Sequence, residues 1–249
     1  MQLLKANLQS LRRDVNTATV ALAASQMSNE DAAGALMWTL HSTASEAYAM
    51  LQEEYDRQDE EGIAPNTRDM IDAMDEEQQG ICVQTLNLQE TIPQRTNPLV
   101  FALPFVIAPR DFTSLSDAGE CLASISAVAL FNLGLARHTQ SFISKPEDET
   151  SLLEEAKELY LQGLDLLDHL KSLTPDGPLI LTYLGLCNNL VEVYSKLGDS
   201  TEASKWQVTL RQCLWTVPPA KNSRVYRHFL NASQTYDIQV LPLAPMNMD

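Results

Sequence analysis

CNNLVEVYSKLGDSTEASKWQVTLRQCLWT, residues 187–216, is the stretch whose reading decides the fold. Leu190 and Tyr194 lie one helical turn apart, as Ala203 and Leu210 lie two turns apart, and Gly198-Asp199 separates the pairs. That spacing puts each pair on one face of a helix, with a break between the two helices. Gly198 suits the left-handed conformation that ends a helix. Ala203 is small enough to let two helices approach closely, and Tyr194 is large enough to fill the gap beside the crossing. The stretch therefore reads as a helical hairpin.

The same grammar extends outward. Leu130 and Asn132-Leu133-Gly134 form the first half of a second hairpin, and Ala156, Tyr160 and Gly163 form the second half. The expected turn between them, through Ser144 to Glu149, is longer by about ten residues, an insertion that loop entropy tolerates cheaply. Near the start, Leu4, Leu8, Leu11, Val15, Ala18 and Leu22 recur at four and three on one helical face. Ser28 and Asp31 resemble a capping box that opens another helix, whose stripe runs through Ala32, Leu36, Leu40, Thr43, Ala47 and Leu51. Further helices are predicted over 117–143, 151–172, 178–197, 200–215 and about 223–234.

The middle of the chain differs. Residues 53–77 hold eleven acids and two arginines, a net charge of −9. Residues 58–67 read as an exposed linker, with a short helix over 67–78. From Ile81 to Leu88 the pattern approaches period two, and Leu99 to Ala108 is a short apolar run. With Pro93, Asn97 and Pro98 between them, these read as two strands joined by a ten-residue loop. Pro104 inside the second strand predicts an edge position.

Placed in register, these residues resemble the tetratricopeptide repeat: a large residue, a small one and an aromatic on the first helix, a Gly-Asp turn, then a small residue at the crossing. The resemblance spans 122–216, and 15–57 more weakly, where Val20, Ala23, Ala32 and Leu36 match and Met27 replaces the turn glycine. It implies a mainly α fold, antiparallel helical hairpins stacked as a short solenoid with a small β-hairpin insertion. The expected organisation is an N-terminal hairpin over 1–57, an acidic linker over 58–80, the insertion over 81–110, two repeats over 111–216, and a C-terminal helix and tail over 217–249.

The resemblance also implies a function, protein–protein interaction through a concave groove lined by the first helix of each repeat. By position the groove residues are Phe131, Leu135, His138, Asn188, Glu192, Ser195 and Lys196. Asn132 and Asn189 are candidates to contact a peptide backbone, since an amide both donates and accepts. Chaperone-binding members of the family use several Lys and Arg as a carboxylate clamp; only Lys196 qualifies here, which argues against a free C-terminal carboxylate as ligand. Phe131 and Leu135 have two open readings, an exposed groove or one covered by the insertion or the tail.

Charge and composition narrow the rest. With 17 basic and 33 acidic residues the net charge is −16, which disfavours nucleic acid and anionic membranes and favours a neutral or basic protein partner. Four widely spaced cysteines, Cys82, Cys121, Cys187 and Cys213, are expected to be reduced and at least partly buried in a cytoplasmic protein. Lys5, Arg12 and Arg13 before the first acid faintly resemble a mitochondrial presequence, the minor alternative. No apolar run of about 18 residues stands out as a membrane span. The four histidines form no metal-binding motif, and Asp165 with His169 reads as a local ion pair. Nine glycines include no phosphate-binding loop, and no nucleophile elbow occurs, so no cofactor, metal or catalytic residue is expected. The alternative is a helical enzyme or small-ligand carrier, whose mark would be an enclosed pocket with convergent polar groups.

Overall fold

The computed structural model describes residues 2–25, 27–60, 83–85, 99–108, 114–168, 170, 173, 177, 179–216 and 224–240. Of these, 84% are helical, and the remainder includes a small two-stranded sheet. Helix α1 (Gln2–Ala24) buries Leu4, Leu8, Leu11, Val15, Ala18 and Leu22, the expected stripe. It ends in a turn where Met27 takes a left-handed backbone, φ 65°, while its side chain is buried. The turn therefore takes the conformation that glycine favours without having a glycine.

Helix α2 (Glu30–Thr39) starts one residue later than expected. Its cap is Asn29, whose side chain accepts from the Ala32 N–H at 3.1 Å, while Ser28 Oγ donates back to the Ser25 carbonyl at 2.6 Å. Asn accepts the N-terminal N–H as well as Ser does, and Glu30 and Asp31 add charge favourable to the helix dipole. The helix runs through one π-helical segment, Leu40–Ala44, into α3 (Ser45–Glu60). Ala32, Leu36, Ala47 and Leu51 of its stripe are buried, with Leu40 and Thr43 half-buried around the π turn.

Helix α4 (Leu115–Ser141) begins with a full capping box between Ser114 and Asp117. It is the central helix, packed against α1, α2, α3, the strand segment Phe105–Ile107 and the two helices that follow it. Its 18-residue window of mean hydropathy 1.5 is long and apolar enough to cross a membrane, but 83% of that window is buried by its neighbours. An apolar circumference is what a helix enclosed on all sides requires.

Helix α5 (Pro146–Asp168) starts earlier than the sequence suggests. Pro146 occupies the first helical position, where its missing N–H is no loss, and Glu147, Asp148 and Glu149 fill the first turn. The extra residues therefore lengthen the two helices, to 27 and 23 residues, and leave a turn of only four residues, 142–145.

Helices α6 (Ile180–Lys196) and α7 (Ser200–Thr216) form the hairpin first read from sequence. Gly198 has φ 81°, the Asp199 N–H closes on the Tyr194 carbonyl at 2.9 Å, and Asp199 caps α7 through the Glu202 N–H. Helix α8 (Arg224–Val240) is longer than expected and packs on α6 and α7, with the Tyr226 hydroxyl donating to the Leu214 carbonyl at 2.7 Å. The expected linker at 58–67, the helix at 67–78 and the tail beyond Val240 lie wholly or largely outside the described residues.

Ala203 is 4% exposed on the hairpin's inner side. Ala203→Leu is expected to destabilise by about 1–3 kcal/mol, because the added carbons must separate α6 from α7. Ala49→Leu, on an exposed face of α3, is the control and should leave the melting temperature nearly unchanged. Equal shifts in a thermal melt would remove Ala203 from the crossing.

Candidate functional site

The first helix of each hairpin, α1, α4 and α6, presents an asparagine to one extended segment of the chain, residues 99–107. Asn189 accepts from the Phe101 N–H at 2.8 Å and donates to the Phe101 carbonyl at 3.2 Å. Asn132 does the same for Phe105, at 2.9 and 2.8 Å. Asn16 repeats the arrangement with Ile107, at 2.9 and 2.8 Å. At the other end Asn188 donates to the Leu99 carbonyl at 2.7 Å. Each of the three bidentate amides thus plays the part of a neighbouring strand residue, giving an acceptor and a donor to one backbone position.

The far edge of the segment is covered differently. Strand β1 (Val83–Thr85) pairs antiparallel with β2 (Phe105–Ile107), in the register Val83↔Ile107, Gln84↔Val106 and Thr85↔Phe105. Phe105 and Ile107 turn their backbone groups to the asparagines, so Val106 between them faces β1. In this two-stranded sheet β2 is an edge strand, as expected, and asparagine amides take the place of a third strand on its other side. Pro104 falls just before the strand, in a buried place where a residue with no N–H leaves no donor to satisfy. The connection between the two strands, 86–98, lies outside the described residues.

Side chains of the segment enter the core. Phe101 and Phe105 are 1% and 0% exposed, and their rings lie 5.5 Å apart. Phe105 packs on Phe131 of α4 at 4.8 Å, and Phe101 on Phe229 of α8 at 4.7 Å. Gly185 of α6 makes room, since a Cβ there would stand 3.0 Å from the Phe131 ring and 3.3 Å from the Phe101 ring. Behind the asparagines a second layer fixes their orientation. Thr19 Oγ1 accepts from Asn132, and the Tyr160 hydroxyl accepts from Asn189.

Of the groove residues expected from sequence, Phe131, Leu135, His138, Asn188 and Glu192 are buried. Phe131 and Asn188 are covered by the segment, as one of the two readings had it, while His138 packs against Phe142 and Tyr160. Ser195 and Lys196 are exposed at the C-terminal end of α6, beyond the contacts with the segment. Asn132 and Asn189 do contact backbone. Nothing in the sequence around Asn16 marks it beyond its place beside the buried stripe of α1.

His138 is enclosed at 0% exposure, stacked on Phe142, with Nδ1 3.4 Å from the Tyr160 hydroxyl. Burial first, and the charge of Lys196 second, push its pKa down to about 3. The imidazole is neutral in the folded protein, whereas the unfolded chain protonates near the ordinary 6.5. The contribution is complete above pH 6.5 and is lost as pH falls toward 3. Between pH 7 and pH 5 the wild type is expected to lose about 2 kcal/mol more than His138→Phe, read from denaturant midpoints. Parallel losses would mean that His138 titrates normally.

The described cysteines agree with a reduced core: Cys121 and Cys187 are buried and Cys213 is half-buried, all three as free thiols. Burial raises the pKa of Cys187 and Cys213, which keeps them protonated and poorly nucleophilic. Cys82 and His169 lie outside the described residues, so the expected Asp165–His169 pair is not placed. Among the described residues no group of three or more His, Cys, Asp or Glu is arranged to hold a metal ion. An open cavity of about 350 Å³ sits at the Ile107 end of the segment, lined by Arg12, Arg13, Asn16, Thr17 and Val20 of α1.

No protein-family model, curated protein or solved structure matches the chain.

Proposed function

We propose that the chain is a tetratricopeptide-like interaction scaffold whose asparagine-bearing face binds an extended segment of a partner protein. The observation that carries the reading is the ladder itself. Three amides on three successive first helices hold the backbone of one extended segment at residues 101, 105 and 107, a way of gripping a peptide that depends little on its sequence. Left-handed turns at Met27 and Gly198 and the buried Gly134, Ala203 and Tyr160 support the repeat reading. The net charge of −16 steers neutral or basic partners toward the molecule, and added salt slows their association more than their release.

A random peptide library displayed on phage and selected on the purified protein tests this. Enriched peptides should bind saturably and lose about tenfold or more in affinity with Asn16→Ala, which removes two hydrogen bonds at the more accessible end of the ladder. Failure to enrich any peptide, or enrichment of peptides indifferent to Asn16, would count against the ladder as a binding face.

A further inference from the structure

One exposed helix face has no part in the ladder or the core. Among the described residues four large aromatic side chains are exposed, and three of them, Trp38, Tyr48 and Tyr55, belong to the continuous helix α2–α3; the fourth is Trp215 of α7. Tyr48 and Tyr55 lie two turns apart on one face of α3, with the exposed Gln52 between them. At 62% and 39% exposure both rings meet water. Neither stacks on a ring or a cation among the described residues.

Carboxylates stand around this face. Gln52 Nε2 donates to Asp56 Oδ1 at 2.8 Å, which holds that carboxylate on the side of the rings. Asp117 approaches Tyr55 from α4: burial first, and the charge of Asp117 second, raise the pKa of the Tyr55 hydroxyl. Arg57, the one basic residue of α3, is ion-paired with Glu54. From Glu30 to Glu60 the chain carries eight acids against Arg57 alone, a net of −7 within a total of −16. Two open rings in a negative field suit a guanidinium, whose plane stacks on an aromatic face while its N–H groups fork to carboxylates. Lysine brings the charge without the plane, and nucleic acid or anionic lipid is repelled.

We propose that the Tyr48–Tyr55 face of α3 docks an arginine-rich segment of another protein, with guanidinium groups stacked on the two rings and paired with Asp56. The surface shares no residue with the asparagine ladder and stands or falls apart from it.

Three labelled peptides test it on the full chain by fluorescence polarisation: repeats of Arg-Gly, of Lys-Gly and of Glu-Gly. The Arg-Gly peptide should bind saturably, Lys-Gly about threefold or more weaker, and Glu-Gly not at all. Tyr48→Ala with Tyr55→Ala should weaken Arg-Gly binding about fivefold or more, since two stacking contacts are lost. Should that variant lose its cooperative melt, Tyr48→Ala alone serves, with a loss of about twofold expected. Asp56→Asn should weaken binding about twofold and flatten its dependence on salt. Trp215→Ala, which removes an exposed ring elsewhere, and Asn16→Ala, which removes a rung of the ladder, should each leave it unchanged. Arg-Gly binding that survives loss of both tyrosines would be attraction to an acidic protein at large and would overturn the proposal. Equal binding of Arg-Gly and Lys-Gly would overturn the stacking, and a loss with Asn16→Ala would move the peptide to the ladder. A dimer in sedimentation that the tyrosine variant dissolves would give the face to a second copy of the chain instead.

Discussion

Asn132→Leu is expected to destabilise the protein by about 3–5 kcal/mol and to lower its melting temperature by on the order of 10 °C. The side chains are similar in size, so the loss is polar rather than volumetric. Asn132 is 0% exposed and makes three hydrogen bonds, to the Phe105 N–H, the Phe105 carbonyl and Thr19. Removing it orphans two buried backbone groups and a buried hydroxyl, and each such group costs about 1–3 kcal/mol when left dry. Asn132→Asp is a sharper probe at neutral pH. Its carboxylate can still accept from the Phe105 N–H but repels the Phe105 carbonyl, and it buries a charge. A melting temperature within 2 °C of wild type for Asn132→Leu would show that the segment holds without its central rung.

Gly134→Ala is the second large effect. An added Cβ would lie 2.6 Å from the Tyr160 ring, well inside contact distance, at the crossing of α4 and α5. The ring cannot swing away cheaply: Tyr160 is 0% exposed, wedged near Phe131 and His138, with its hydroxyl accepting from Asn189. One methyl group must therefore part the helices or drag Asn189 from its rung, at about 3 kcal/mol, near the upper end of ordinary overpacking. The diagnostic is a double-mutant cycle. Tyr160→Leu frees the space, so Gly134→Ala should cost much less on that background, and strict additivity of the two changes would refute the contact.

The helices were legible because burial of one face imposes a period that apolar residues must keep, as Leu4 to Leu22 and Leu190 with Tyr194 do. The ends were less so. Pro146 and the acids after it suit a turn, but proline at a first helical position followed by carboxylates is also the mark of a helix start. Met27 kept a glycine's backbone angle without being glycine, a substitution that composition alone does not reveal. The site was legible in part. An asparagine that serves a strand from a helix leaves no periodic trace, so Asn132 and Asn189 were found only through their place in the repeat, and Asn16 not at all. The apolar run at 99–108 was visible as a strand, but its partners lie 27 to 91 residues away and no local pattern records them.

Proteins whose helical units touch only their neighbours can fray from an end while the rest stays intact. Here the segment 99–107 is tied to Asn16 near the start of the chain and to Asn188 and Asn189 well toward its end, with Asn132 between. It acts as a basting thread through all three hairpins. Neither terminal hairpin can melt without freeing one end of the thread and uncovering the aromatic rings beneath it. The unfolding of the first and last hairpins is thereby made a single event, and truncation at either end is felt at the other.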